Sequence, residues 1–268
     1  MPADLKDDGL IKHLQKWGLK VETKDGWRFR GRPYNFYPRA IMVHHTASGS
    51  QSGNFASESI VTYGRPDLPG PLSQVLLGRN GVVKLVADGY SNHAGYGGPR
   101  AGIPANQGNT YCIGIEAENN GLGEPWSKEQ LNAYYRLCAA LLVWIGEDDV
   151  SKVFGHKEWA PSRKIDPRGI DMNHFRAQVK KAMQQGPSVK TVSLSKLKPG
   201  KRNRHVFLVK KRLKRKGFYK AKNTTNFYGS AMANAYARYQ ESLGYTGKDA
   251  DGTPGKSSLN KLGFRVVK

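Results

Sequence analysis

Two imidazoles and one carboxylate carry the first chemical signal in this chain. His44 closes the apolar run Ile41-Met42-Val43, His156 follows Val153-Phe154-Gly155, and Asp166 comes ten residues later in Arg163-Lys164-Ile165-Asp166-Pro167. Two histidines and one aspartate leave the fourth position of a tetrahedral zinc ion open to water, the layout of a catalytic rather than a structural zinc. Spacing alone leaves a plainer reading open, in which each histidine is a hydrogen-bonded polar residue of a core or loop.

The surrounding sequence supplies the elements that must position these groups. Ile41, Met42 and Val43 form an unbroken apolar run, which predicts a strand buried on both faces. Residues 72–77 and 82–86 flank Asn80-Gly81, the pair a tight hairpin turn prefers. Residues 111–118 alternate as a strand, with Glu116 and Glu118 on the face opposite Ile115 and Ala117. Ser127 with Gln130 three residues on predicts a capping box. It opens a helix through Ile145, with Leu131, Tyr134, Tyr135, Cys138, Leu141 and Leu142 at helical spacing. Strands alternating with a long helix give an α/β domain.

Charge divides the chain. The 268 residues hold 43 basic and 21 acidic side chains, for a formal +22. Residues 190–268 hold 20 of the basic and 3 of the acidic ones, or +17, leaving +5 for the first 189. That shift predicts two domains, 1–185 and 204–268, joined by a polar linker over 186–203. The longest strongly apolar stretch, residues 137–145, is too short to span a bilayer. Residues 1–10 lack the apolar segment of a secretory signal peptide. Cys112 and Cys138 fit neither a disulfide framework nor a cysteine-rich zinc site, and are expected as two buried thiols.

Four motifs occur in order: Val43-His44-His45-Thr46-Ala47-Ser48, Ile113-Gly114-Ile115-Glu116-Ala117-Glu118-Asn119, Gly155-His156, and Ser162-Arg163-Lys164-Ile165-Asp166-Pro167. Together they resemble the zinc-dependent N-acetylmuramoyl-L-alanine amidases of type 2, which share a fold with the peptidoglycan recognition proteins. The resemblance covers residues 39–177 and implies a mixed central β-sheet flanked by helices. It implies one zinc ion, with His44, His156 and Asp166 as ligands and His45 excluded. Glu116 matches the family position that serves as base in one branch, and Lys164, two residues before the Asp ligand, is placed to stabilise an oxyanion. Glu118 faces the same side of its strand and is the rival base. The tyrosine that another branch uses is absent, since Ser73 and Gln74 stand at the aligned positions. His93, in a His-Ala-Gly loop, together with Asn119 and Trp159, is expected at the substrate groove.

The basic region predicts three helices: one through Val206, Val209 and Leu213, one from Ser230 to Gly244, and a short one through Leu259 and Leu262. Tyr239-Gln240, Asp251-Gly252, Gly255 and Leu259 resemble the three-helix peptidoglycan-binding domain of wall hydrolases, over residues 207–263. Its run from Lys210 to Lys216 suits anionic cell-wall polymers, and lacks a recognition-helix motif for specific nucleic acid. The whole resembles a phage endolysin. The expected activity is hydrolysis of the amide between the lactyl group of N-acetylmuramic acid and L-alanine, for host cell lysis. The expected setting is a monomer made in the host cytoplasm without a signal peptide and released to the wall at lysis. A non-catalytic peptidoglycan recognition protein and a basic nucleic-acid-binding protein are the alternatives.

Overall fold

The apolar run before the His-His pair forms β2 (Ala40–His45), whose first five residues are buried. In this computed structural model, which describes residues 5, 9–31, 36–49, 53–187 and 191–267, β2 lies between two parallel neighbours. One is β7 (Cys112–Ala117) and the other β8 (Val153–Gly155). Beyond β7 the sheet continues through β5 (Val75–Leu77) and β6 (Val83–Leu85) to β1 (Val21–Thr23), in the order β1-β6-β5-β7-β2-β8. Only β5 and β6 run antiparallel, so the sheet is mixed. Their turn is the expected one: Gly81 has φ +75°, the Asn80 carboxamide accepts from Val82 N at 3.0 Å, and Gly78 N donates to Val82 O. A separate two-residue ladder joins β3 (Gly64–Arg65) and β4 (Leu68–Pro69).

Alternation along β2 and β7 sorts the two faces. Ile41, Val43, Ile113 and Ile115 enter one core with α1 (Gly9–Lys16), α4 (Lys128–Trp144) and α6 (Met172–Gln185). Phe175 of α6 is fully buried between Tyr134 and Tyr135, at ring separations of 5.1 and 5.0 Å; truncating it to alanine would cost about 3–5 kcal/mol. Ala40, Met42 and Cys112 point the other way, into a smaller cluster with Phe154 and Trp159. Three short helices complete the unit: α2 (Glu58–Tyr63), α3 (Gly108–Tyr111) and α5 (His156–Trp159).

The helix expected from Ser127 forms, with the Ser127 hydroxyl accepting from Gln130 N at 3.1 Å. The capping box is only half made. The Gln130 side chain donates instead to Glu118 O at 2.7 Å, tying the helix start to the end of β7.

The chain divides into Met1–Ser188 and Val189–Lys268. The second unit contains the three expected helices, α7 (Arg204–Arg215), α8 (Ser230–Ser242) and α9 (Lys256–Lys261). It also contains a parallel pair that the sequence did not announce, β9 (Thr191–Ser193) with β10 (Arg265–Val267). Part of the expected linker is thereby corrected: Val192 and Leu197 are core residues, packed with Val206, Leu259 and Phe264. Three-residue strands flanked by basic residues carry too little alternation to be read as strands. Lys210 is a second departure, because it is buried rather than part of a solvated basic face. Its ammonium donates to Thr225 Oγ1 at 3.1 Å and lies 5.2 Å from the Tyr219 ring. Among the described residues, every ion pair lies in the first unit.

No helix of the described residues is long and apolar enough to cross a membrane. Cys112 and Cys138 are free and buried, and burial pushes both thiols up.

Candidate metal centre

The register of β2 on β7 pairs Met42 with Gly114 and His44 with Glu116. Both His44 and Glu116 therefore leave the sheet on its less covered face, at the carboxyl ends of adjacent strands. On the other side of β2, His156 opens α5 directly after β8, and the loop that follows α5 returns Asp166 to the same point. His44 Nδ1 lies 3.0 Å from His156 Nδ1, and Asp166 Oδ2 lies 2.9 Å from the first and 3.1 Å from the second. All three residues are buried, and among the described residues this is the one cluster of histidine, cysteine and carboxylate groups able to hold a metal.

The outward nitrogens fix which atoms carry protons. His156 Nε2 faces Ala94 O at 2.8 Å, and a carbonyl only accepts, so the proton sits on Nε2 and the Nδ1 lone pair faces Asp166. His93 Nε2 likewise faces Cys112 O at 3.2 Å, which leaves His93 Nδ1 to accept from His44 Nε2 at 3.1 Å. His44 Nδ1 is then also a lone pair. Two imidazole lone pairs and a carboxylate oxygen meeting within 3.1 Å repel one another unless a cation, or at minimum a proton, lies between them. Burial, and then the neighbouring His156, push His44 down to about 4, so it is neutral near pH 7 and ready as a ligand. Burial raises the Asp166 carboxyl, and it falls well below its usual range where N–H donors or positive charge face it, so a cation between the three groups would hold it ionised. This nitrogen–nitrogen–oxygen donor set fits zinc.

Glu116 and Glu118, two residues apart, have opposite circumstances. Glu116 Oε1 is 3.9 Å from His44 Nδ1, while its Oε2 is buried with no hydrogen-bond partner. Burial, reinforced by the Asp166 charge and opposed by that of Lys164, pushes the Glu116 carboxyl well above its ordinary value. Glu118 is wholly buried and fully engaged. It accepts from Ser57 N at 2.9 Å and from Arg79 Nη1 at 3.1 Å, and the Ser48 hydroxyl donates to it as well. The sequence placed both carboxylates on one face, but only Glu116 reaches the triad. Lys164 is half-buried, and its charge acts on both His44 and Glu116.

The three expected groove residues are placed differently. His93 is 7% exposed and sits behind His44, not beside it in the groove. Its ring occupies the space that Gly114 leaves open, where a Cβ would come within 2.7 Å of the His93 ring. Asn109 holds the backbone of this loop by accepting from His93 N and Ala94 N at 3.0 and 2.7 Å. Trp159 is 1% exposed, stacks on Phe154 at 6.1 Å and donates to Gly95 O at 3.2 Å, so it supports the loop from within. Asn119 is 2% exposed, and its carboxamide shapes the turn after β7 through Glu124 O and Gly121 N. The expectation of substrate contact is thus corrected for His93 and Trp159, whose polar atoms face the protein.

Three contributors were missed. The Tyr134 hydroxyl accepts from His44 N at 3.1 Å and lies 3.0 Å from His44 O, pinning the strand end. Tyr134 reads in sequence as one more apolar helix position. Arg163 donates to Ala94 O at 2.6 Å and to Tyr96 O at 3.0 Å, closing the loop over His156. Arg79 gathers Glu118, Glu124, Ser48 O and Gly49 O. Its place beside the Asn-Gly turn gives no sign of that role.

A model of the family described as N-acetylmuramoyl-L-alanine amidase matches residues 33–169. No curated protein matches the chain. Among solved structures, the endolysin N-acetylmuramoyl-L-alanine amidase LysCS from Clostridium intestinale is 18% identical, with 60% of this chain and 95% of that one covered and a TM-score of 0.43. A mutant endolysin from Bacillus subtilis is 22% identical over 60% of this chain and 99% of that one, with a TM-score of 0.45. The bumblebee protein PGRP-SA is 16% identical over 59% and 94%, with a TM-score of 0.43.

Proposed function

Because the chain belongs to the N-acetylmuramoyl-L-alanine amidase family, whose model spans half of its length, we propose that it is a zinc-dependent hydrolase of peptidoglycan. Its target is the amide between the lactyl group of N-acetylmuramic acid and the L-alanine of the stem peptide. The observation that carries this reading is the convergence of His44 Nδ1, His156 Nδ1 and Asp166 Oδ2 beside the partnerless Oε2 of Glu116. All four groups come from one chain, so a monomer is sufficient.

His44, His156 and Asp166 are the residues that would hold the ion. When bound, zinc supplies Lewis acidity toward the scissile carbonyl and the attacking water. Glu116 takes the proton from that water as it adds to the carbonyl carbon, then delivers it to the nitrogen of the departing alanine. Burial raises its carboxyl above the ordinary value, which makes the carboxylate a stronger base toward the water than an exposed one would be. Lys164 contributes positive charge where the carbonyl oxygen becomes anionic. His93 keeps its Nδ1 toward His44 and so holds His44 in the tautomer that a ligand requires.

We assign the second unit to attachment. With 20 basic and 3 acidic residues in 190–268, and no ion pair among its described residues, it suits anionic polymers of the bacterial wall. In this reading the protein is a phage endolysin that accumulates in the host cytoplasm and reaches the wall at lysis. The testing experiment is metal analysis of the purified chain alongside clearing of a peptidoglycan suspension. One equivalent of zinc, and clearing abolished by a chelator and restored by zinc, support the proposal. Clearing at full rate in metal-free protein contradicts it.

A further inference from the structure

The second unit buries a cation and supplies it with no anion. Lys210, on α7, is 3% exposed, and its ammonium gives one N–H to Thr225 Oγ1 at 3.1 Å. Its other contact is the face of the Tyr219 ring at 5.2 Å, which eases the burial of the charge without neutralising it. Buried charges are ordinarily paired, yet the charge that bears on this one has the same sign. Burial first, and then Arg202, push the Lys210 ammonium below its ordinary value. Residues 190–268 contain three acids, Glu241, Asp249 and Asp251, and among the described residues none of them forms an ion pair.

The backbone brings the second cation to the same segment. Arg202 bridges Phe227 in antiparallel register, with Asn203 N donating to Asn226 O at 3.0 Å and Tyr228 N to Lys201 O at 2.8 Å. The Arg202 guanidinium lies 5.0 Å from the Phe227 ring and gives one of its five N–H groups to Asn226 Oδ1 at 3.2 Å. Segment 225–227 therefore meets one cation at each end, Lys210 at Thr225 and Arg202 at Asn226 and Phe227. Arg202 and Thr225 are exposed, so the buried ammonium lies behind an accessible hydroxyl and guanidinium. Lys214, one turn beyond Lys210, is spent on Ala221 O and Lys222 O at 3.0 and 2.7 Å, which ties down the loop that carries this segment.

We infer that Lys210, Arg202 and Thr225 form a site for one phosphodiester group of a polyol phosphate polymer. A tetrahedral phosphate offers oxygens in several directions, which suits an ammonium, a guanidinium and a hydroxyl arriving from two separate segments. A planar carboxylate presents two oxygens along one edge and is served by a single guanidinium fork. The Phe227 ring is taken up by Arg202, whereas a single-stranded nucleic-acid site offers its rings to stacked bases. The choice of polymer rests on the wall-attachment reading above; the site itself does not, and it is independent of the metal centre.

The probe is a short poly(glycerol phosphate) oligomer, titrated against the full-length chain at fixed ionic strength, with poly-L-glutamate of equal charge for comparison. Binding should saturate and shift the Thr225 and Phe227 amide resonances. Lys210→Met, which keeps the length and apolar contacts of the lysine stem, and Arg202→Gln should each weaken it about fivefold or more. Lys211→Ala, which removes an exposed charge from the same helix, should change it less than about twofold. Equal losses from Lys210→Met and Lys211→Ala would reveal a diffuse polycation and overturn the site, as would poly-L-glutamate binding as tightly as the phosphate oligomer. Tighter binding of a DNA oligonucleotide of the same charge, with the same dependence on Lys210, overturns it in favour of nucleic acid. If Lys210→Met fails to fold, the wild-type chain decides: inorganic phosphate must shift Thr225 and Phe227 saturably where acetate at the same ionic strength does not, and no such shift overturns the site. Oligomer binding with these dependences in a chain that fails to clear wall sustains the site while removing the hydrolase reading. Clearing without oligomer binding does the reverse.

Discussion

His44 and Glu116 are register partners on adjacent parallel strands, and their side chains emerge on the same face with Oε1 3.9 Å from Nδ1. The pleat makes this arrangement almost compulsory. With Ile41 and Val43 facing one core and Met42 the other, a polar residue at position 44 must leave on the Met42 side, and the paired register carries Glu116 with it. A candidate ligand and a candidate base are thereby held in fixed relation by two buried strands rather than by loops.

Glu116→Gln preserves shape and removes the proton acceptor. The expected result is a fall in kcat of about 10²–10⁴-fold with zinc content unchanged, read by product release and metal analysis. A variant that keeps more than a third of the wild-type rate would remove Glu116 from the role of base.

Glu118 tests the alternative carboxylate. It is wholly buried and paired with Arg79, so Arg79→Ala leaves a buried charge short of its cation and should cost about 3 kcal/mol of stability. Denaturant unfolding measures this. Among molecules that remain folded, kcat should stay within about threefold of wild type; a collapse in kcat without loss of stability would make Glu118 the working carboxylate.

His93 acts through His44. His93→Phe removes the acceptor for His44 Nε2 and should lower zinc affinity about 10–100-fold in a chelator competition. Gly114→Ala should have a similar effect, because its methyl group would enter the space of the His93 ring. His93→Gln, which can still accept from one side and donate to Cys112 O on the other, should recover part of the affinity. Unchanged affinity in all three variants would leave His93 without a positioning role.

Stability of the metal-free chain should depend on pH in a definite direction. His44 sits at about 4 folded and 6.5 unfolded, so the unfolded state binds more protons between those values and stability falls as pH drops through that window. Its share is about 3 kcal/mol, and His93, also lowered, acts in the same direction. Glu116 opposes them, since its raised carboxyl favours the folded state at low pH and loses that contribution as pH rises above 4.5. Thermal unfolding of metal-free Glu116→Gln should therefore show a steeper loss from pH 6.5 to 4.5 than wild type; a shallower loss would reverse the assignment.

The fold and the triad were legible because each rests on local pattern. The run Ile41-Met42-Val43, the Asn80-Gly81 turn and the Ser127 cap each encode a local structure, and the four motifs bring His44, His156 and Asp166 forward. What escaped depends on contacts distant in sequence. His93 and His44 are 49 residues apart and Tyr134 and His44 are 90 apart, so neither a buried relay nor a pinning hydroxyl leaves a periodic trace. Burial also misled: His93 and Trp159 look like groove residues by position, but the chain spends their polar atoms on His44 and on its own backbone.

The measurement that bears most directly on the central claim is identification of the chemical ends released from purified peptidoglycan by the zinc-loaded chain and by Asp166→Ala. The account predicts new L-alanine amino termini without new reducing sugars from the former. Asp166→Ala should be folded, zinc-free and inactive. Reducing ends, or L-alanine termini released equally by Asp166→Ala, would contradict it.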